Sequence, residues 1–401
     1  MPILDSEVYT VSELIVTMDK MPSTIAEAEV GQVDHDEAHH DSVIEAQEDE
    51  TKDQEGGTKD REDKTDSVIN IVQDPIDSLY ESVRMLKQGG EGRVKILRRR
   101  STRQLAISKS SWRRRGADNE VNILQLVHKH PQIVDFHDLF ESTGAGSESH
   151  LVLGYCQGGD LDDLRDRFKR HHMQMPEPLI WHFYGQLAEA MHWLHDSCDV
   201  VHRDLKPGNV LVVAGPEDGS YPGLKVADFG FACVGEQPAE ESHVGTPMWW
   251  GPEERPGTKA QDMWAVGAIV HWLVLRTLPV DAAAAEVSRD ASRGARRRAA
   301  VEAPRVVRSI CNDETVQKYV GDREGVEKPT AYSRELDGWM RRALEADPGS
   351  RITAKELCGE FLKRAKEVVA RDAKDLPDWV MPDAPLDDWG SDNSPEGFAH
   401  W

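Results

Sequence analysis

The spacing of apolar residues changes along the central part of this chain. Short apolar or alternating runs, typical of strands, occur at residues 93–97, 103–109 and 151–155. Later, residues 179–195 carry apolar side chains at helical spacing, and residues 265–275 are almost all apolar, which predicts a buried helix. Strands that precede helices predict an α+β fold with two unequal lobes, a small mostly-β N-lobe and a larger mostly-α C-lobe.

Two further apolar segments, 210–213 and 224–227, are joined by a loop rich in Gly, Pro and Asp. This pattern predicts a β-hairpin. Amphipathic spacing predicts additional helices at residues 120–127, 336–344 and 354–365.

The two ends of the chain are much more acidic than its middle. Residues 1–77 hold 22 Asp and Glu against 5 Lys and Arg, and residues 371–401 hold 8 against 2, in a chain of net charge −24. Residues 33–66 hold few apolar side chains, which illustrates why residues 20–77 cannot bury enough surface to offset the entropy of ordering. We therefore predict acidic tails at 1–77 and 367–401 around one folded domain at 79–366.

The last 25 residues alternate Asp, Pro and Trp, and two interpretations of them stay open: an interaction tail, or a strip packed on the core. The overall acidity disfavours nucleic acid as a partner, and the longest apolar run is too short for a membrane span. Five scattered cysteines and the absence of a secretory leader predict an intracellular protein, cytoplasmic or nuclear.

The hairpin has a chemical consequence. The residue before its first strand, Asn209, and the residue after its second, Asp228, should lie side by side. An amide oxygen and a carboxylate that face one point suit Mg²⁺. Asp204, on the same loop as Asn209, is placed to accept a hydroxyl proton, while Lys206 neutralises phosphate charge.

Residues 202–209 (HRDLKPGN) and 228–230 (DFG) resemble the catalytic loop and the metal-binding motif of the eukaryotic protein kinases. Either motif alone is weak evidence, but the two occur in the family's order and at a suitable separation. The resemblance covers residues 79–366. It implies ATP in the cleft between the lobes, Mg²⁺ as cofactor and protein substrates.

The resemblance also implies a nucleotide site. Lys109 would hold the α- and β-phosphates and Glu120 would hold Lys109, while Asp160 is interpreted either as a ribose contact or as the cap of the next helix. Lys87, Ser108 and Gly154 depart from the family pattern and favour the alternative of a pseudokinase that binds nucleotide as a scaffold. The full set of implied nucleotide-binding residues is Gly89, Gly92, Val94, Ile107, Lys109, Glu120, Leu153, Tyr155, Cys156, Asp160 and Leu211.

Residues 228–253 resemble an activation segment that ends in a GPE motif. The family resemblance implies a structural pair of Glu253 with Arg351, and implies that Asp262 braces the catalytic loop. Lys206 together with Thr246 follows the pattern of Ser/Thr kinases rather than that of Tyr kinases.

Two regulatory hypotheses follow. Phosphorylation of Ser242 would activate the chain by pairing with Arg203. The basic run at residues 93–115, which contains ten Lys and Arg, would attract the acidic N-terminal tail or acidic substrates, although such a run is more often a solvated strand face.

Overall fold

The computed structural model describes residues 76–89, 92–111, 114–140, 149–216, 220–236, 244–253, 257–279, 307–320 and 330–382. Several sequence predictions therefore lie outside the described residues. They concern Ser242, the acidic stretches 1–75 and 383–401, and residues 90–91. These last two lie in the glycine-rich segment 89–94 (GGEGRV), which resembles the family's glycine-rich loop.

An antiparallel sheet of five strands forms the small lobe, in the order β1-β2-β3-β5-β4. Its strands are β1 (Tyr80–Gly89), β2 (Gly92–Arg99), β3 (Leu105–Ser111), β4 (Phe136–Phe140) and β5 (Ser149–Gly154). A single turn of helix, α1 (Ile76–Leu79), leads into the sheet, and α2 (Arg114–Val127) contacts β5. On the sheet a small apolar cluster buries Tyr80, Leu97, Ala106, Phe140 and Val152.

The large lobe is mostly helical. Its helices are α3 (Leu161–Arg170), α4 (Glu177–His192), α5 (Lys259–Leu275), α6 (Asp313–Val320), α7 (Arg334–Ala343), α8 (Ala354–Glu356) and α9 (Leu362–Asp372). Short strands lie between α4 and α5: β6 (Val200–Val201), β7 (Val210–Val213), β8 (Gly223–Val226) and β9 (Cys233–Val234). β7 and β8 pair antiparallel, as the hairpin prediction requires. This arrangement confirms the predicted α+β, two-lobed architecture.

Helix α5 is the centre of the large lobe. Its residues from Gln261 to Leu275 are all buried, and those in the predicted range 265–275 are apolar on every side of the helix except at His271. The helix begins earlier than the apolar run because the Thr258 hydroxyl caps it by accepting a hydrogen bond from the Gln261 amide. It ends where Arg276 adopts a left-handed conformation, with φ 58°.

Two predicted helices contain a π-helical turn. Helix α4 ends at His192 and continues as the turn Trp193–Ser197, and the turn Leu357–Phe361 separates α8 from α9. The spacing of apolar residues does not reveal these turns. Residues four apart still lie on the same face of a helix when a single turn of it is π-helical. Phe361, the last residue of the second turn, is fully buried and stacks on Trp181 at 4.8 Å between ring centroids.

The chain stays in contact with the large lobe beyond α9. A 3₁₀ turn at Asp378–Val380 packs against α3, and Val380 is 1% exposed. Of the two interpretations of the C-terminal sequence, the packed strip therefore applies to the described part of it, up to residue 382.

Candidate active site

Three charged side chains from separate elements meet at the middle of the sheet. Lys109 lies in β3, Glu120 in α2 and Asp228 shortly after β8. The Lys109 ammonium donates to Glu120 at 2.7 Å and to Asp228 at 3.1 Å. Both lobes thus contribute to one ion cluster. In it the Lys109 ammonium joins Glu120 and Asp228, which come from separate sequence motifs.

The charges in this cluster control one another's titration. Burial by itself would lower the pKa of Lys109, but the carboxylates of Asp228 and Glu120 outweigh burial and raise that pKa well above its ordinary value. Lys109 in turn holds the pKa of Asp228 below its usual range. Burial raises the pKa of Glu120 despite its contact with Lys109. At neutral pH the cluster therefore presents a protonated lysine and an ionised Asp228.

The catalytic loop is organised around the carboxylate of Asp204. Lys206 donates to one oxygen of this carboxylate at 2.7 Å, and the Thr246 hydroxyl donates to the other at 2.7 Å. The Asn209 amide donates to the Asp204 side chain at 3.1 Å and to its backbone carbonyl at 2.8 Å. Lys206 also donates to Thr246 at 2.9 Å. Asp204 is 5% exposed, so these donors fix its orientation.

The hairpin places the backbones of Asn209 and Asp228 next to each other. The Asn209 carbonyl accepts a hydrogen bond from the Ala227 amide at 2.9 Å, so that the next residue, Asp228, lies beside Asn209. Among the described residues no group of three His, Cys, Asp or Glu side chains could hold a metal. A donor set of one amide and one carboxylate fits Mg²⁺, which takes its remaining ligands from water and phosphate oxygens.

Asp262 braces the catalytic loop from α5. Its carboxylate accepts hydrogen bonds from the backbone amides of His202 at 2.7 Å and Arg203 at 3.0 Å, and contacts the His195 ring at 2.9 Å. Burial would raise the pKa of Asp262, but these contacts outweigh it and lower the pKa. Arg203 has φ 65°, a conformation that non-glycine residues adopt only at a cost. The buried carboxylate therefore stabilises a strained turn directly before Asp204.

Apolar side chains implied in adenine binding come from both lobes. Ile107 in β3 and Leu153 in β5 are paired across the sheet, and Leu211 follows the catalytic loop. All three are almost fully buried, as is Cys156, and burial raises the pKa of the Cys156 thiol to about 12. Tyr155 is half-buried between Gly154 and Cys156.

The glycine-rich segment lies at the turn between β1 and β2. Gly89 and Gly92 are partners across that turn, and Val94 is the partner of Lys109 on the neighbouring strand. Val94 thus lies next to the lysine of the ion cluster. Lys87, at the position of the family's first glycine, is opposite Val94 in β1.

Two of the three departures from the family pattern have local explanations. Ser108 is 1% exposed and its hydroxyl lies 3.3 Å from His150 Nδ1, so it fills a buried position between strands. A Cβ atom on Gly154 would lie 3.0 Å from a carboxylate oxygen of Asp135, which pairs with Lys225 at 3.1 Å. An acidic residue at position 154 would face this second carboxylate.

Asp160 is the N-cap of α3. Its side chain accepts a hydrogen bond from the Asp163 amide at 2.8 Å, and Asp163 accepts one from the Asp160 amide at 3.2 Å, which completes a capping box. Burial and the neighbouring charge of Asp163 raise the pKa of Asp160 to about 7. The capping role is therefore present, and ribose contact stays a prediction.

Glu253 and Arg351 form a bidentate ion pair with distances of 2.8 and 3.0 Å. The Arg351 guanidinium also donates to the backbone carbonyls of Ala260 at 2.6 Å and Glu345 at 2.8 Å. Its side chain is fully buried. The pair ties the end of the segment 228–253 to the large lobe.

Sequence reasoning missed two residues of this region. Asn119, next to Glu120, donates to the backbone carbonyls of Gly230 at 3.2 Å and Ala232 at 3.0 Å, and thereby ties α2 to the start of the activation segment. His195, which contacts Asp262, was likewise not singled out. No motif marks either one, because their partners are a backbone and a distant carboxylate.

The contacts of Arg203 bear on the Ser242 hypothesis. The Arg203 guanidinium donates to the Phe231 carbonyl at 2.5 Å in this structure. Ser242 itself lies outside the described residues, so its pairing with Arg203 stays a prediction.

Comparison with known proteins agrees with this geometry. Residues 80–361 match the family model of the protein kinase domain. Serine/threonine-protein kinase ATG1b of Arabidopsis thaliana is 37% identical over 166 residues, which are 40% of this chain and 22% of that protein. Serine/threonine-protein kinase DCLK3 of Homo sapiens is 35% identical over 215 residues, 51% of this chain and 31% of that protein.

A third relative is the probable serine/threonine-protein kinase nek2 of Dictyostelium discoideum, 29% identical over 216 residues, 51% of this chain and 50% of that protein. The chain thus spans half or less of the length of each of these relatives. Within the described residues no helix is both long and apolar enough to cross a membrane. On the strength of the match over residues 80–361, the chain belongs to the protein kinase family, with serine/threonine-protein kinases among its relatives.

Proposed function

We propose that this chain transfers the γ-phosphoryl group of ATP to Ser or Thr hydroxyls of protein substrates. One observation carries the proposal: the Lys109–Glu120–Asp228 cluster and the Asp204–Lys206 pair are assembled in the same structure. A scaffold that only binds nucleotide could use the Lys109 cluster, but it has no need of the Asp204–Lys206 pair.

The residues divide the work of in-line transfer. Lys109 neutralises charge on the nucleotide phosphates, and Glu120 keeps Lys109 in place. Asp204 accepts the proton of the attacking hydroxyl, and Lys206 stabilises the charge that develops on the transferred phosphoryl group. Asn209 and Asp228 would hold Mg²⁺, which supplies electrostatic stabilisation of the phosphate oxygens when bound. Positioning and charge neutralisation supply most of the rate enhancement.

The contact of Thr246 with both Asp204 and Lys206 supports Ser or Thr as the acceptor. It joins the end of the activation segment to the residue that would receive the hydroxyl proton. A short aliphatic hydroxyl of the substrate would enter next to these same groups.

The alternative is a pseudokinase that binds nucleotide without transferring phosphate. Lys87 favours this alternative. It lies in β1 opposite Val94, at the position where the family pattern has the first glycine of its glycine-rich loop. Ser108 and Gly154 no longer support this alternative strongly, since each fits its own buried surroundings.

Phosphate transfer from labelled ATP to a library of Ser, Thr and Tyr peptides tests the proposal. We expect the wild type to label Ser and Thr peptides, and Asp204→Asn and Lys109→Met to reduce labelling by about a hundredfold or more. Lys366→Met is the matched control, because the Lys366 side chain is 70% exposed. Binding of ATP by the wild type without any labelling would favour the pseudokinase.

We also propose an intramolecular contact of the acidic N-terminal tail with the basic run at 93–115. The exposed Arg100 and Arg103 support it, and the chain enters the sheet beside them: Arg100 donates to the Asp77 carbonyl at 3.0 Å. Deletion of residues 1–75 should change the salt dependence of peptide phosphorylation. Identical salt dependence in the two proteins would contradict this contact.

A further inference from the structure

The segment that follows α9, residues 373–381, lies outside the match to the kinase family; we call it the C-terminal strap. It crosses the large lobe toward residues 154–159, which join the two lobes and which we call the hinge. It first contacts the loop before β8, where the Lys374 amide donates to the Tyr221 hydroxyl at 3.0 Å. It then packs on α3. Trp379 stacks on His171 at 4.0 Å between ring centroids and meets Phe168 edge-on at 5.0 Å.

Arg167 of α3 connects the strap to the hinge. Its Nε donates to the Val380 carbonyl at 3.1 Å, and its Nη2 donates to the Gly158 carbonyl at 2.8 Å. One planar guanidinium therefore spans the two backbones, a geometry that a flexible single ammonium would not reproduce. Val380 is 1% exposed, so the strap end of this bridge is itself fixed by packing.

The hinge end of the bridge leads directly to the implied nucleotide site. The Gly158 amide donates to the Val212 carbonyl at 3.0 Å, and the Val212 amide donates to the Gly159 carbonyl at 2.8 Å. A Cβ atom on Gly158 would lie 2.7 Å from the Val212 carbonyl oxygen, so the backbones are in close contact. Val212 follows Leu211, and Gly158 follows the hinge residue Cys156 by two positions.

From these contacts we propose that the C-terminal strap supports the nucleotide site through Arg167, which is the positioning residue between them. Both backbone groups of Gly158 are held, its amide by β7 and its carbonyl by Arg167. The strap thereby sets the distance between the hinge and β7, which carries Leu211, one of the residues implied in adenine binding. The proposal rests on the proposed function only in that a nucleotide occupies this cleft.

The test measures nucleotide affinity directly, with a fluorescent ATP analogue and Mg²⁺, in the full-length chain. We expect Arg167→Gln and Trp379→Ala to raise the Kd by roughly three- to tenfold, a change of the size that one ordinary hydrogen bond contributes. Trp379→Phe, which keeps an aromatic ring on His171, should restore most of the affinity. Arg170→Gln, an exposed arginine of the same helix, should leave the Kd unchanged.

Steady-state kinetics separate positioning from general destabilisation. We expect Arg167→Gln to raise the KM for ATP while the KM for peptide and kcat change little. A lower melting temperature with an unchanged nucleotide Kd would show a merely structural strap and would overturn the proposal. Binding of the analogue is measured without phosphoryl transfer. The role of the strap can therefore be tested even if the chain labels no peptide and the proposed function fails.

Discussion

Thr246 donates its hydroxyl hydrogen to Asp204 at 2.7 Å, so the end of the activation segment directly orients the carboxylate of the catalytic loop. The approach is close because Gly245, with φ 92°, precedes Thr246 and leaves no side chain toward Arg203. A Cβ atom there would lie 2.4 Å from the Arg203 carbonyl oxygen. The order of the activation segment and the orientation of Asp204 are therefore coupled.

Replacement of Thr246 tests whether its hydroxyl orients Asp204 or whether the side chain only fills space. We expect Thr246→Ala to lower kcat by about ten- to a hundredfold, because Asp204 loses a donor and Lys206 an acceptor. Thr246→Ser keeps the hydroxyl and should retain most of the activity. The measurement is steady-state peptide phosphorylation; equal rates for the Ala and Ser variants would show that the hydroxyl has no part in orienting Asp204.

The Glu253–Arg351 pair should determine stability more than chemistry. Arg351→Met leaves Glu253 with a buried charge and removes donors from three backbone carbonyls, so we expect a loss of roughly 3–5 kcal/mol in the free energy of unfolding. Chemical denaturation monitored by tryptophan fluorescence measures this loss. Arg342→Met is the control, since its pair with Glu360 is largely exposed and should contribute about 1 kcal/mol or less. A similar loss of unfolding free energy in both variants would contradict the conclusion that the buried pair stabilises the fold more than the exposed one.

Asn119 should affect activity through the activation segment. We expect Asn119→Ala to reduce kcat by about threefold to thirtyfold, because α2 loses its two hydrogen bonds to Gly230 and Ala232 and no longer holds Glu120 firmly at Lys109. Asn122→Ala, on the exposed face of the same helix, is the matched control. Should both variants keep wild-type kcat, the tether does not contribute to catalysis.

The hairpin shows how much of the site the sequence could predict. Two apolar runs and a turn-rich loop sufficed to bring Asn209 beside Asp228, because antiparallel pairing fixes which residues are neighbours. Strands β1 and β4 were not predicted. β1 mixes polar and apolar residues, with Glu81 and Arg84 among them, and it lies at the edge of the sheet, where alternation is weak.

Contacts to backbone groups mark the limit of sequence reasoning. Asn119 donates to the Gly230 carbonyl and Arg167 to the Val380 carbonyl, both far along the chain, and a carbonyl is the same in every residue type. For the strap, the sequence leaves a tail and a packed strip equally open, since acidic residues surround its anchor Trp379 and resemble those of a tail. Such contacts depend on tertiary packing, which motif and periodicity do not encode.

The raised pKa of Asp160 predicts a specific pH dependence of stability. Burial and the charge of Asp163 raise this pKa from 3.8 to about 7 in the folded chain. Between these values the folded state binds the proton more tightly than the unfolded state. The contribution of protonated Asp160 to the stability of the fold is therefore complete below about pH 4 and is lost as the pH rises through 7.

The substitution Asp160→Asn isolates this effect. Asn caps a helix about as well as Asp, but it has no proton to lose. We expect the free energy of unfolding of the wild type to fall relative to that of Asp160→Asn as the pH rises from 5 to 8, in paired denaturation series. Asp166→Asn, which removes an exposed carboxylate from the same helix, is the matched control. A constant difference between wild type and Asp160→Asn over this range would mean that Asp160 is already ionised at pH 5, with its charge stabilised by the Asp163 amide.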